Sequence, residues 1–491
     1  MRRIVVIGDG MVGSRFAEQI VEADEGIHVT LLGKEPIPAY NRVLLSSVVA
    51  GTKSADLLHI AKQHPRVLRL TGVAAATIDR DLMRVIDSNG RSHPYAELVI
   101  ATGSVARVPA IQGVADSGGL IDGVFVLKDM ADAEGIVASA GRARRAVVLG
   151  AGVLGLEVAT GLARRGVVVK LVHIAERLME RQLGWEASAV AESGLRRLGI
   201  DSHTGASLAR VQTTRGRVTS VRLEDGSEML TDMVVMCAGT IPETTLARNA
   251  GLVCERGIVV DDQLATSDPH IRAIGDCAQP PGGARGLVAQ GWQQATMLVA
   301  ALTGAQVQAA DTAATADVVR VKASGMAMVA MGVCGDFDRA DPRYRVLSLK
   351  DPEGGRFVEV VVSGGQLVGA TCIGDADVAA TLSALYTRQL PVPSDPAQLM
   401  IKALAGGGAP AATRDPADLK DDEKVCNCNT VTAGRIREAV ADGCSTVKDV
   451  ASRTRATTGC GDCTSLVEGL ISCHRSPSTS PAAVAAVPQG A

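Results

Sequence analysis

Residues 1–33 read MRRIVVIGDGMVGSRFAEQIVEADEGIHVTLLG, and their order decides the fold. An apolar strand, Ile4–Ile7, runs into a glycine turn. A helix is expected over Ser14–Ala23 and a second apolar strand over His28–Leu32. Strand, helix and strand at these lengths make a βαβ unit, with parallel strands and a right-handed crossover. The turn is Gly8-Asp9-Gly10-Met11-Val12-Gly13. Gly8 permits the tight turn, Gly10 lets a pyrophosphate approach the backbone, and Gly13 lets helix and strand pack closely. The helix N-terminus offers free N–H groups and partial positive charge to a phosphate. An acid ~20 residues further on is expected to accept from the ribose hydroxyls. Glu35 fits, 22 residues past Gly13, with Lys34 beside it leaving the register open by one.

The pattern restarts at residue 145. Strand Ala146–Leu149 leads to Gly150-Ala151-Gly152-Val153-Leu154-Gly155, a helix near Leu154–Arg165 and strand Val167–Val172. This is an internal repeat of one nucleotide-binding design. The ribose position after its second strand is His173, and Arg177 lies four residues on. An acid at that position favours NAD and a cation favours NADP, so His173 leaves the choice open, either as a cofactor contact or as a strand cap. Strands at Leu98–Ala101 (into ATGS) and Met233–Ala238 (into Gly239) belong to the two folds, and TSDPHIRAIGDCA places Asp276 at the end of a short strand. From about 310 to 400 the runs Arg356–Val362 and Leu367–Cys372 alternate, as an antiparallel sheet does.

Composition bounds the rest. The 491 residues carry a net charge of −3 and 21% charged residues, which excludes a basic nucleic-acid surface. Aromatics are 2%, too few for stacking platforms, so the core is Val, Ala, Leu and Ile. No uncharged apolar stretch reaches 18 residues, so no membrane span is expected, and the apolar run at the start is too short for a secretory signal. The expected location is the cytoplasm. Of 11 Cys, five (Cys237, Cys254, Cys277, Cys334, Cys372) stand singly in apolar sequence and read as small buried hydrophobes. The remaining six crowd between 426 and 473. Cys426-x-Cys428 and Cys460-x2-Cys463, 31 residues apart, form two close pairs that can hold an iron–sulfur cluster or zinc, and spacing alone does not choose. Cys444 and Cys473 fall outside the pairs and read as packing residues.

In combination, GDGMVG, AYNRVLLS (39–46), LVIATGS (98–104), GAGVLGLE (150–157) and TSDPHIRAIGDCA (266–278) resemble the FAD/NAD(P) reductases with two dinucleotide domains. VCNCNTVTAG…TTGCGDC resembles the bacterioferritin-associated-ferredoxin-like [2Fe-2S] domain. Together with LMERQLG (178–184) and GLVAQGWQQA (286–295) they resemble the N-terminal part of assimilatory nitrite reductase large subunits and, equally, the electron-transfer subunit of assimilatory nitrate reductase.

The resemblance implies FAD, NAD(P)H and a [2Fe-2S] cluster as cofactors. It implies that Arg42 contacts the FAD pyrophosphate, that Thr102 and Gly103 pass near FAD, that Asp276 holds the ribityl chain and that Glu157 lies near the nicotinamide. The cluster ligands would be Cys426, Cys428, Cys460 and Cys463. Disulfide reductases of this architecture carry a redox Cys after the first turn, where this chain has Ser46 and Ser47, so no local thiol takes electrons from the flavin. No Cys-x3-Cys occurs, so the usual sirohaem ligand set is missing.

The fold class read from all this is α/β. An FAD-binding fold over 1–115 and 245–309 encloses an NAD(P)-binding fold over 116–244. An α+β interface domain over 310–403, a linker over 404–424, a helical Cys-rich domain over 425–474 and a low-complexity tail over 475–491 complete it. The expected function is NAD(P)H oxidation with delivery of electrons to a separate nitrate or nitrite reductase catalytic subunit. A ferredoxin- or rubredoxin-type reductase and a flavin/NAD sensor with a zinc module are the alternatives. Neither nucleic acid nor membrane is an expected partner, and a homodimer is left open.

Overall fold

The computed structural model describes residues 2–283, 286–305, 317–401, 416–426, 429, 431–459, 461 and 463–475. The chain divides into two compact units, Met1–Ala412 and Thr413–Ala491.

The first unit contains the same sheet twice. One copy orders its strands Ile271–Ala273, Glu97–Ile100, Arg2–Ile7, Ile27–Gly33 and Val67–Thr71, all parallel. The other orders Val124–Val126, Met233–Met236, Arg145–Leu149, Val168–Val172 and Asp201–His203, also all parallel. Each carries a three-stranded antiparallel meander just before its second strand in this order: residues 75–94 lead into Glu97, and residues 208–230 lead into Met233. The central strands are apolar along their length because helices cover the sheet: Val5, Val6, Val147 and Val148 are all buried. Phe16 and Ile20, on helix Met11–Ala23, are fully buried in the first core, and Leu156 and Leu162, on helix Val153–Arg164, fill the second.

Ser104–Ala106 pairs antiparallel with Thr240–Pro242, a short ribbon that joins the two folds. A third sheet is antiparallel, ordered Val318–Ala323, Met326–Gly332, Gln366–Ile373, Arg356–Ser363 and Arg345–Asp351, with helix Ala376–Arg388 packed on it. Val321, Met326 and Met328 of this sheet share a core with Leu156 and Leu162, so the sheet is seated directly on the second fold.

The second unit has a short hairpin, Lys424–Cys426 with Val431–Thr432, and three helices, Ala433–Ala441, Val447–Thr454 and Thr464–Arg475. Thr432 caps the first helix, and a Thr446/Asp449 capping box starts the second. This unit begins earlier than the expected boundary at 425. Leu419 is buried beside Ile436, Val467 and Leu470, and Arg437 donates to the carbonyls of Pro416, Ala417 and Leu419. The charge of residues 416–424 reads as solvated linker, yet one leucine and one arginine tie them down. The Gly/Ala/Pro-rich stretch 404–415 and the tail 476–491 lie outside the described residues.

Candidate functional site

The first glycine turn is closed on one side and open on the other. Gly8 has φ +116°, and a Cβ there would sit 2.2 Å from the Ala101 carbonyl oxygen. A Cβ at Gly13 would meet the Gly8 carbonyl at 2.1 Å. At Gly10 the single neighbour within 4 Å is Arg42 Nε, at 3.9 Å. Helix Met11–Ala23 starts on Gly10 with no side-chain cap and no acid in its first turn. The open glycine and the uncapped N-terminus fit a pyrophosphate, and Arg42 supplies a cation beside it.

Arg42 itself is held from three sides. It pairs with Glu35, lies 4.8 Å over the Tyr40 ring, and donates to the Lys128 carbonyl at 3.3 Å. Tyr40 donates its hydroxyl to Glu35 Oε2 at 2.7 Å and accepts from Met130 N–H at 2.9 Å. Glu35, expected to bind ribose, therefore already has two side-chain partners that orient its carboxylate.

Asp276 sits inside a single turn, Gly275–Cys277, three residues past the end of strand Ile271–Ala273 and not at the strand end where it was expected. Gln294 fixes that turn by accepting from Gly275 N–H at 2.7 Å. Ser104 donates to Asp276 Oδ2 at 2.8 Å, Lys128 donates to Ser104 Oγ at 2.7 Å, and Lys128 Nζ is 3.8 Å from Asp276. Burial pulls the Lys128 pKa below the ordinary lysine range, and Asp276 offsets part of that. Sequence reasoning missed Lys128 and Ser104. The available signal was a lone lysine between an apolar strand and the helix-capping Asp129. Thr102 donates to the Glu243 carbonyl at 2.8 Å, while Gly103 (φ +74°) and Gly239 (φ +96°) have no atom within 4 Å of a would-be Cβ. The ribbon joining the two folds begins next to both glycines.

The second turn repeats the first. A Cβ at Gly150 (φ +105°) would lie 2.4 Å from the Cys237 carbonyl, and one at Gly155 would lie 1.8 Å from the Gly150 carbonyl. Gly152 faces open space and starts helix Val153–Arg164 with no side-chain cap. His173, buried, accepts from Ala151 N–H through Nδ1 at 3.2 Å, and its Nε2 lies 3.0 Å from Glu180 Oε2. Both ring nitrogens are thus engaged within the chain.

Glu157 is buried where three parts of the first unit meet. Its carboxylate accepts from Ser46 of the first fold, from the Lys322 backbone N–H at 2.8 Å, and pairs with Lys322 Nζ at 3.1 Å from the third sheet. Ser46 is one of the two serines, with Ser47, in the region where the resemblance implies a redox thiol. Burial and the Glu157 charge push the thiol beside this cluster, Cys237, up to about 12, while the residue as a whole is half-buried rather than buried as expected.

In the second unit Cys426 and Cys463 are brought together from the hairpin and from the start of the last helix. The Cys463 thiol, together with the backbone N–H groups of Asn429 and Thr457, holds the Cys426 pKa down against the effect of burial. Asn429 Nδ2 is 3.8 Å from Cys426 Sγ and donates to the Arg455 carbonyl at 2.7 Å. A sulfur surrounded by N–H donors fits a thiolate ligand. Cys428 and Cys460 lie outside the described residues. Among the described residues no three His, Cys, Asp or Glu side chains group as a metal site, and no helix is long and apolar enough to cross a membrane. Cys444 packs against the unit's core, as expected.

Comparison with known proteins agrees with this arrangement. Residues 2–302 match the pyridine nucleotide-disulphide oxidoreductase family, and residues 424–472 match the BFD-like [2Fe-2S] binding domain. A nitrite reductase [NAD(P)H] of Bacillus subtilis (strain 168) is 32% identical over 482 residues, covering 96% of this chain and 57% of that protein. The assimilatory nitrate reductase electron transfer subunit of the same organism is 30% identical over 476 residues, covering 96% and 59%. A putidaredoxin reductase, solved in covalent complex with putidaredoxin, superposes with a TM-score of 0.69 at 26% identity, covering 82% of this chain and 97% of that one. The chain spans only part of the curated relatives' length, 57% and 59% in these two cases.

Proposed function

This chain belongs to the pyridine nucleotide-disulphide oxidoreductase family and ends in a BFD-like [2Fe-2S] binding domain, and from that premise we propose that it is the electron-entry component of nitrate or nitrite reduction. It is an NAD(P)H-dependent FAD oxidoreductase. The observation that carries the proposal is the pairing of two open glycine cradles with a thiol pair set among N–H donors, in a chain with no redox thiol at Ser46.

FAD, when bound, would supply a hydride acceptor able to release electrons singly, and a [2Fe-2S] cluster would supply a one-electron carrier. The chain's own residues prepare this. Gly10 and the helix behind it receive one pyrophosphate, with Arg42 and Lys128 supplying positive charge. Asp276, oriented by Ser104, offers an acceptor to ribityl hydroxyls. Gly152 and its helix receive the nicotinamide dinucleotide. Glu157, anchored by Lys322 and Ser46, lies one turn along that helix and orients the nicotinamide end. Cys426, Cys428, Cys460 and Cys463 would hold the cluster. The acceptor is a separate catalytic subunit that reduces nitrate or nitrite, the chemistry named for the two Bacillus relatives.

The purified chain should contain one FAD, two iron and two acid-labile sulfides. With NADH or NADPH it should reduce ferricyanide and leave nitrite untouched. One zinc in place of iron, or nitrite consumption by the chain alone, sinks the proposal.

A further inference from the structure

The segment after the second strand, LVHIAERLMERQLG (171–184), returns to the glycine turn and is fastened to it at both ends of one residue. Ala151 N–H donates to His173 Nδ1 at 3.2 Å, and the Ala151 carbonyl accepts from Met179 N–H at 3.0 Å. Met179 has φ +47°, a left-handed conformation costly for this residue type, and it is held there by its own burial and that of Leu178 and Leu183. The next residue is Glu180. Its carboxylate is 39% exposed and 3.0 Å from His173 Nε2.

The hydrogen-bond pattern assigns the chemistry. Nδ1 accepts a backbone N–H, so the ring proton is on Nε2 and points at Glu180. His173 is thereby a spacer. It occupies the strand-end position where an acid ordinarily reads the ribose, and it sets a carboxylate just beyond itself. Burial alone would raise the Glu180 pKa, yet the His173 hydrogen bond and its own backbone N–H outweigh it, so the carboxylate is ionised at neutral pH. One of the two arginines near Glu180 is already engaged. Arg177 donates to the Leu183 and Glu180 carbonyls at 3.0 Å each, pairs with Asp336, and lies 5.1 Å over Trp185. Arg181, adjacent to Glu180, is exposed, and its charge helps to keep the Glu180 carboxylate ionised.

We infer that Glu180, presented by His173, is the specificity-determining residue of the second cradle: it accepts from the ribose 2′-hydroxyl of NADH and repels the 2′-phosphate of NADPH. This rests on the reading of that cradle as the nicotinamide dinucleotide site. A carboxylate matched to a hydroxyl both gains a charge-assisted hydrogen bond with the right ligand and sets like charge against the wrong one.

The test is titration calorimetry of the FAD-loaded full chain with NAD⁺ and with NADP⁺. NAD⁺ should bind at least about tenfold tighter. Glu180→Gln should bring the two dissociation constants within about threefold, chiefly by weakening NAD⁺, and Glu180→Asp should keep the order of preference. Equal or tighter NADP⁺ binding by the unaltered chain overturns the inference whatever the variants do. So does an unchanged ratio in a Glu180→Gln protein that retains its flavin and melting temperature. Binding of neither nucleotide overturns the reading of the cradle itself, and is distinguished by that from loss of preference alone.

Discussion

Single atoms decide which glycines serve the fold and which serve the ligand. Gly155 has no room for a methyl group, because a Cβ would overlap a backbone carbonyl that cannot move aside. Gly152, three residues earlier, has an ordinary extended backbone and nothing near it. Gly155→Ala should abolish soluble, folded protein. Gly152→Val should leave the melting temperature within about 3 °C and weaken NADH binding tenfold or more, since only the ligand's space is filled. Calorimetry and NADH titration of the two variants check the contrast. Lys322→Met leaves the Glu157 carboxylate buried without its counter-charge. With Lys322 partly exposed, the expected loss is about 2 to 3 kcal/mol, below the range for a fully buried pair. Adding Glu157→Gln should restore much of it, which thermal melting of the double variant reads directly.

Lys128 gives a pH dependence of definite sign. Its pKa lies below the ordinary lysine value of ~10.4, and an anionic dinucleotide favours its protonated form. FAD retention should therefore fall as pH rises through the lowered value. Lys128→Met should bind FAD about tenfold more weakly at neutral pH and lose this dependence, followed by the fluorescence of released flavin.

At the scale of elements, the βαβ units were legible because glycine spacing, strand apolarity and the helix after the turn all point the same way. Both helices begin at the residue after the middle glycine, Met11 and Val153, earlier than the apolar periodicity suggested for the first. The third sheet is antiparallel as expected, but Arg356–Ser363 and Gln366–Ile373 are buried along most of their length and do not alternate in exposure. The partners of the site residues were not legible. The Glu157–Lys322 pair spans 165 positions, and no local pattern announces it. His173 was left open between two roles in the sequence because its outcome depends on Glu180, which lies in a loop whose path follows from Met179 and Leu183 packing. The linker boundary is illegible for the same reason: Leu419 is one apolar residue in a charged run, and its burial depends on Ile436 and on helix residues farther along. Cys463→Ser probes the C-terminal element separately. Iron and sulfide should be lost, while the flavin band and NADH–ferricyanide reduction persist, because the second unit has its own core.

At the scale of the molecule, one polar contact ties together the first fold, the second fold and the antiparallel sheet, through Ser46, Glu157 and Lys322. A hinge motion parting these three bodies has to break this ion pair and expose to water the core that Leu156 and Leu162 share with Val321 and Met328. The contact therefore favours movement of the three as one piece. The spacing between the two glycine cradles is thereby pinned by a carboxylate that lies outside both turns.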